Sequence, residues 1–383
     1  MKTANKHNQI IIHVYYSTAG NSGLYMSETI KALSKLECDL AMFVNYYYAL
    51  DDQECHKIFF KRTETMKRNR YRKYFKYIEM IHDFHTVKKR IHEYARKYKE
   101  VFIVYSLNEC YKPAYCFLEQ VRKIKNVKLG ILVHDVVPFR GAYSKSIYVS
   151  QEKILSLASF FVSHNRYTTD ILKSNYDKKE ILQYRFPLMD LTQMPNTKHY
   201  EKSNGMTITF LFLGYLRVEK GINVLLNAWE KIEGKYDQAQ LIIAGKIPEG
   251  IAYDFSKCSR IELLEGYLDD NEYSEIIQKA DYGVLPYIEG TNSGVLSTIS
   301  CYGKPSITSD LPMFQESYFA LPELSFEAGN NNDLFRLISD LIEGHNEKYS
   351  TYLNIMADKI AGYKSLFEQE TAKEYGEKLL CNS

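Results

Sequence analysis

Apolar runs of strand length alternate with stretches of helical periodicity, and the alternation occurs twice, on either side of the polar stretch LMDLTQMPNTKHYEKSNGM, residues 188–206. Before that stretch, QIIIHVYY, CDLAMFV, EVFIVYS, KLGILVHD, SFFVSHN and EILQYRFPL read as strands, with GLYMSETIKALSKL and RYTTDILKSNY as helices among them. After it come TITFLFLGYL, AQLIIAGK, RIELLEGYL, DYGVLPY and KPSITSD, again separated by helical spans. Strands that are apolar throughout, rather than alternating, belong in parallel sheets covered by helices on both faces. In GINVLLNAWEKI the apolar residues Ile222, Leu225, Leu226 and Trp229 form the stripe of a helix packed on a sheet. In DDNEYSEIIQKA, Asp269 and Glu272 have capping-box spacing, and Tyr273, Ile276, Ile277 and Ala280 repeat the stripe. The pattern predicts an α/β chain of two doubly wound Rossmann-like domains facing a central cleft. The expected boundaries are 1–190 for the first domain, 191–206 for a linker, 207–360 for the second, and 361–383 for a C-terminal helix packing back toward the first.

With 383 residues, 45% of them hydrophobic, the chain exceeds the size at which one core usually stops growing. No segment reaches the length of a membrane span, and the N-terminus MKTANKHNQIIIHVYY is polar and then only briefly apolar, so a cytoplasmic protein without a signal peptide is expected. Seven cysteines without a CxxC pair argue against a disulfide framework and against a zinc site. The net charge of +2 conceals an asymmetry: residues 1–200 hold 33 Lys/Arg and 19 Asp/Glu, for +14, and the remainder hold 16 and 28, for −12. Residues 57–99 account for much of it, with 15 Lys/Arg against 4 Asp/Glu, interleaved with Phe59, Phe60, Tyr71, Tyr74, Phe75 and Tyr77. Such a run is either a solvated helix face or a surface for a polyanion.

The loops that leave the strands carry the candidate chemistry. IEGTNSGVLSTISCYGKP, residues 288–305, lies between a strand and a helix, where a flexible backbone, hydroxyl and amide side chains and unpaired N–H groups at a positive dipole end suit an anion. Asn292 and Ser293 are also ordinary N-cap residues, so the loop alone leaves a simple helix cap open. After TITFLFLG comes YLRVEKG, placing Arg217 and Lys220 between a strand and a helix; a guanidinium fork and an ammonium are the usual pair for a diphosphate. The first strand ends in STAGNSGLYMSE, a loose glycine loop in which Gly20 and Gly23 open a helix in the same way and join the diphosphate-binding candidates. The pairs Asp51–Asp52 and Asp269–Asp270 do not read as metal ligands, and no metal site is expected.

FLFLGYLRVEKGINVLLNAW, LIIAGK, LLEGYLDDNEYSEIIQKADYGVLPY and TNSGVLSTISCYGKPSITSD, in that order and spacing, resemble the donor-binding domain of family 4 glycosyltransferases of GT-B fold, in their TxSGV-loop branch. The resemblance covers residues 205–325 well and the first half more loosely, through the glycine loop, LVHDVVPF, FFVSHNRYTTDIL and RFPLMD. It implies that Arg217 and Lys220 bind the diphosphate of a sugar nucleotide, with Thr291, Asn292, Ser293 and Gly294 receiving phosphate oxygens. It also implies that Gly266, Tyr267 and Leu268 hold the base, that His134 orients the donor sugar, and that Asp135 orients His134 or the acceptor. The family's paired glutamates fall on Gly290 and Thr298, with Glu289 one position early, so the ribose-holding carboxylate is absent.

The function so implied is that of a retaining glycosyltransferase, with no cofactor beyond a UDP- or GDP-linked sugar as co-substrate. Its acceptor would be a glycan or a lipid-linked molecule in surface-polysaccharide or glycolipid assembly. Nucleic acid is not an expected partner, given the acidic second half and the sugar-nucleotide motifs. An anionic membrane surface is a possible partner for residues 57–99, placing the chain at the inner face of the plasma membrane. Thr298 in place of a glutamate keeps a second reading open, a catalytically silent GT-B subunit that binds a partner enzyme or a glycan.

Overall fold

The computed structural model describes residues 8–16, 22–45, 55–60, 72–108, 110–136, 149–189, 207–266 and 268–380. Gly20, Tyr267, the Asp51–Asp52 pair, the expected linker 191–206 and residues 61–71 of the basic segment lie outside the described residues. The chain divides into two compact units, Met1–Pro187 with Ser365–Ser383, and Leu188–Lys364.

The first unit runs β1 (Gln9–Val14), α1 (Ser22–Leu33), β2 (Asp39–Asn45), β3 (His56–Phe60), α2 (Arg72–Lys97), β4 (Glu100–Leu107), α3 (Lys112–Val121), β5 (Val127–Val133), α4 (Gln151–Leu155), β6 (Phe160–Ser163), α5 (Arg166–Asn175) and β7 (Glu180–Gln183). Its strands form one seven-stranded sheet in the order β3-β2-β1-β4-β5-β6-β7, with parallel pairing throughout. The order reverses between β1 and β4, the switch point of a doubly wound sheet. Strand β1 explains the apolar run from which it comes: Ile10, Ile11, Ile12 and Val14 are all fully buried, so both faces of the strand are covered. In α2 the buried stripe is Met80, Phe84, Val87 and Ile91, while Ile78 and Ile81 stay 62% and 49% exposed on the helix's other side. Strand β3 was not legible as a strand, because HKIFF reads as the start of the basic-aromatic run and its pairing with β2 is a tertiary matter.

The second unit runs β8 (Ile208–Leu213), α6 (Ile222–Glu233), β9 (Ala239–Gly245), β10 (Ile261–Glu265), α7 (Asp270–Lys279), β11 (Tyr282–Leu285), α8 (Gly294–Cys301), β12 (Ser306–Ser309), α9 (Pro312–Gln315), β13 (Ser325–Phe326), α10 (Asn331–Glu343) and α11 (His345–Tyr375). The six strands are again parallel, in the order β10-β9-β8-β11-β12-β13, with the switch point between β8 and β11. All six residues of β8 are buried. The expected capping box of α7 is present: Asp269 accepts from the N–H groups of Asn271 and Glu272, and Glu272 accepts from the N–H of Asp269. The C-terminal helix is longer than expected, since α11 starts at His345, and its last residues join the first unit. There Glu370 accepts from Arg185 Nε at 2.8 Å, Glu374 accepts from the N–H of Gln183 at 2.8 Å, and Lys378 donates to the carbonyl of Ile181 at 2.8 Å.

Trp229 of α6 is fully buried and meets Phe210 of β8 edge-on at 5.7 Å, while Phe210 stacks on Tyr282 of β11 at 5.4 Å. These three rings fasten a helix to the two strands that flank the switch point. Replacing Trp229 by Ala is expected to destabilise the second unit by about 3–5 kcal/mol, the range for emptying a large aromatic site in a packed core. Urea unfolding followed by circular dichroism measures it, and a change below about 1 kcal/mol would contradict this account of the core.

Candidate functional site

In the second unit all strands are parallel, so the loops that follow β8, β9, β10 and β11 emerge along one edge of the sheet. Beyond β8 the backbone crosses Gly214, at φ 120°, and Leu216 is tied on both sides: its N–H donates to the carbonyl of Lys246 at 3.0 Å, and its carbonyl accepts from the Tyr253 hydroxyl at 2.9 Å. Val218–Lys220 then make one tight turn, closed by Gly221 in the left-handed region at φ 69°, and α6 follows. Only glycine can occupy position 221, because a Cβ there would lie 1.7 Å from the carbonyl oxygen of Pro286. The two loops flanking the switch point therefore touch backbone to backbone.

Further contacts join them. The carbonyl of Glu219 accepts from the N–H of Ile288 at 2.9 Å and from that of Glu289 at 3.4 Å. The ammonium of Lys220 lies 3.6 Å from the centroid of the Tyr287 ring. The Tyr287 hydroxyl is 3.4 Å from that of Ser293, and Ser293 caps α8 by accepting from the N–H of Leu296 at 3.3 Å. Arg217 pairs through Nε with Glu219 Oε1 at 2.9 Å. Arg217, Lys220, Ser293 and Gly294, taken from two separate sequence motifs, thus belong to one connected patch. Two cations and the N-terminus of α8 make that patch suited to an anion.

The other expected residues of this unit fall around the patch or away from it. Thr291 is buried, Asn292 and Gly294 are half-buried, and Glu289 is exposed. Thr298 is buried one turn into α8, where its hydroxyl donates to the carbonyl of Gly294 at 2.9 Å, a bond internal to the helix. Gly266 follows β10 at φ 143°, its N–H donating to the carbonyl of Gly245 at 3.1 Å, and Leu268 is half-buried beyond it. Sequence reasoning missed Glu219 and Tyr287. Glu219 adjoins Lys220, and Tyr287 ends the strand run DYGVLPY two positions before Glu289, but no spacing rule links positions 219 and 220 to 287 and 288. Among the described residues no group of three or more His, Cys, Asp or Glu is placed to hold a metal ion.

In the first unit, Gly23 lies in the first turn of α1 after β1, and His134 and Asp135 directly follow β5. His134 sits in an aromatic cage. The ring of Tyr25 meets it edge-on at 5.3 Å, and those of His164, Tyr15 and Phe186 lie 5.8, 6.0 and 6.4 Å away. The backbone carbonyl of Asp135 accepts from the Gln151 amide at 2.7 Å. His164, which sequence reasoning did not select, is the hub of the cage. Its Nδ1 faces the carbonyl of Tyr184 at 3.2 Å, and because a carbonyl only accepts, Nδ1 carries the proton. Nε2 must then accept from the Tyr25 hydroxyl at 3.0 Å, which leaves the Tyr25 oxygen to accept from the Tyr184 hydroxyl at 3.3 Å. Burial holds the imidazoles in their neutral form: His134 is pushed down to about 4 and His164 to about 3, the latter helped by its neighbour His134. His13, fully buried in β1 beside the ring of Tyr375, is likewise pushed down to about 3.

Residues 207–343, which lie within the second unit, match the model of the family described as Glycosyl transferases group 1. No curated protein matches the chain in sequence. Among solved structures, sucrose-phosphate synthase from Thermosynechococcus elongatus superposes with a TM-score of 0.64 at 15% identity, over 98% of this chain and 100% of that one. The catalytic domain of starch synthase IV from Arabidopsis thaliana, bound to ADP and acarbose, gives 0.67 at 10% identity, over 95% and 99%. Anabaena HepE, in complex with UDP and glucose, gives 0.63 at 13% identity, over 98% and 100%. At these identities the likeness establishes the GT-B fold.

The buried histidines make the first unit sensitive to acid. Their folded-state pKa values lie below the ordinary 6.5, so above about pH 6.5 both folded and unfolded chains are neutral there and no stability is lost. As pH falls below that value only the unfolded chain takes up protons, and each histidine removes up to about 1.4 kcal/mol of stability per pH unit until the pH approaches its folded pKa. Urea unfolding at pH 7.5, 6.0 and 5.0 is expected to show a steep loss between the last two. A flat profile would mean that these rings are not held neutral.

Proposed function

We propose that the chain is a retaining glycosyltransferase that moves a sugar from a nucleotide diphosphate sugar, UDP- or GDP-linked, to a glycan or lipid-linked acceptor in surface-polysaccharide or glycolipid synthesis. The observation that carries this reading is the joining of the Lys220 loop to the Ser293 loop across the β8–β11 switch point. When the bond from an anomeric carbon to a diphosphate breaks, negative charge collects on the departing oxygen. Lys220, Arg217 and the N–H groups at the start of α8 stabilise that charge more in the transition state than in the bound donor. The acceptor hydroxyl attacks on the face the diphosphate leaves, which preserves the anomeric configuration. Gly266 and Leu268 receive the base, and neutral His134 orients the donor sugar through a hydrogen bond, with Asp135 beside it. The glycosyltransferase family match to residues 207–343 supports the reading, as do the UDP and glucose in the Anabaena structure.

A thermal-shift series with UDP-, GDP- and ADP-sugars tests donor binding, since a ligand at a hundred times its dissociation constant adds about 2.7 kcal/mol of stability. Lys220→Ala is expected to keep the fold while lowering turnover by about a hundredfold or more, as for the loss of one transition-state charge stabiliser. Near-normal turnover in that variant would place the diphosphate elsewhere. The second reading, a silent GT-B subunit, is favoured by Thr298, whose hydroxyl is engaged within α8 where the family carries a glutamate. Binding of a nucleotide sugar without transfer to any acceptor would select it.

For a lipid-linked acceptor the chain needs a route to the bilayer, and no described helix is long and apolar enough to cross one. On α2, exposed Ile78 and Ile81 accompany the exposed cations Lys89, Arg96 and Lys97, an arrangement suited to the surface of an anionic membrane. Sedimentation with phosphatidylglycerol vesicles is expected at low salt and not at high salt, and Ile78→Ser with Ile81→Ser and Lys89→Glu should abolish it. Wild-type protein remaining in the supernatant at low salt would refute this docking face.

A further inference from the structure

Two cations stand in the candidate site, and their surroundings differ. Arg217 is paired with the carboxylate of Glu219 at 2.9 Å. Lys220, three residues on, has no carboxylate partner among the described residues, and its ammonium rests instead on the ring of Tyr287, 3.6 Å from the centroid. Tyr287 is 1% exposed and packs against Phe314, with ring centroids 5.3 Å apart. Its hydroxyl is the second point of attachment, 3.4 Å from that of Ser293, the residue that caps α8. The segment that carries it is fixed against the Lys220 turn on both sides, by the contact of Gly221 with the Pro286 carbonyl and by the bonds from Ile288 and Glu289 to Glu219.

We infer that Tyr287 is a positioning residue, holding the Lys220 ammonium over its ring face so that it is aimed at a bound diphosphate. The inference rests on the proposed function, because it assumes that Lys220 meets a phosphate. Its physical basis is the difference between a ring and a carboxylate as a partner for a cation. A carboxylate beside Lys220 would fix the ammonium but cancel its charge, and an arriving diphosphate would have to displace it. The face of an aromatic ring attracts the ammonium through its quadrupole and carries no net charge, so the field of the cation stays available to the ligand. A lysine left without any partner would spread over several rotamers and lose more side-chain entropy on binding. Tyr287 reduces that loss without neutralising the site.

The ring contribution is separable from packing by replacing Tyr287 with phenylalanine and then with mono-, di- and trifluorinated phenylalanines, which withdraw electron density from the ring face at nearly constant shape. UDP and GDP are titrated calorimetrically into each variant, in the wild-type background and with Lys220→Ala. Tyr287→Phe, which keeps the ring and removes only the hydroxyl contact, is expected to bind within about threefold of wild type, and trifluorination to weaken binding by about tenfold or more, in regular steps. In the Lys220→Ala background the same series should be flat, and thermal midpoints should not change across it. A flat series with Lys220 present, or an equal decline without it, overturns the inference and leaves the proposed function standing. Wild-type protein that binds neither nucleotide, or Lys220→Ala that binds as wild type does, overturns the proposed function and the inference with it.

Discussion

The candidate site depends on a backbone contact that leaves no room for a side chain. At Gly221 the chain turns through the left-handed region with its Cα against the carbonyl of Pro286, where a Cβ would overlap the oxygen. Lys220 precedes that contact on one loop and Tyr287 follows it on the other, so the approach of the two backbones brings the ammonium and the ring together. The bonds from Ile288 and Glu289 to the Glu219 carbonyl extend the same junction by two residues. None of this requires the loops to be rigid in themselves. Each is held by the strand it leaves, and the strands are neighbours because the sheet reverses its order between β8 and β11.

Charge is distributed within this junction by an uneven choice of partners. Glu219 contributes its carbonyl to the loop–loop bonds and its carboxylate to Arg217, so one residue serves both the architecture and the restraint of a cation. Lys220 is restrained by an uncharged ring. The two cations therefore differ in what an incoming anion meets: a guanidinium already engaged on one edge, and an ammonium with its full charge.

The first unit follows a different principle. Its histidines are surrounded by aromatic rings, and desolvation keeps them neutral; a ring that stays neutral can donate from one nitrogen and accept at the other. The chain Tyr184 to Tyr25 to His164, closed by the Tyr184 carbonyl, fixes one tautomer of His164 and orients the wall of the cage in which His134 stands. Polar order is built into an apolar interior by pairing every donor in that chain with an acceptor, at the cost of sensitivity to acid.

The local signals of this chain were decisive wherever a short stretch carries its own structural reason. The buried strand TITFLFLG, the stripe Ile222, Leu225, Leu226 and Trp229, and the capping box Asp269–Glu272 all appear as read, because periodicity and capping act over a few residues. Arg217, Lys220 and Ser293 could be selected for the same reason, as polar groups at the ends of apolar strands. Strand β3 and the early start of α11 escaped, since edge pairing and helix length are settled by what lies alongside. Tyr287 and Glu219 also escaped, as did the cage partners Tyr25, His164 and Tyr184. The loop holding Lys220 and the loop holding Tyr287 are 67 positions apart in the chain and 3.6 Å apart at the ammonium and the ring. The sequence by itself determined which residues could bind an anion. Only the tertiary structure decided which of them share a site and what holds them there, because proximity across a parallel sheet is set by strand order, and strand order leaves no periodic trace in the chain.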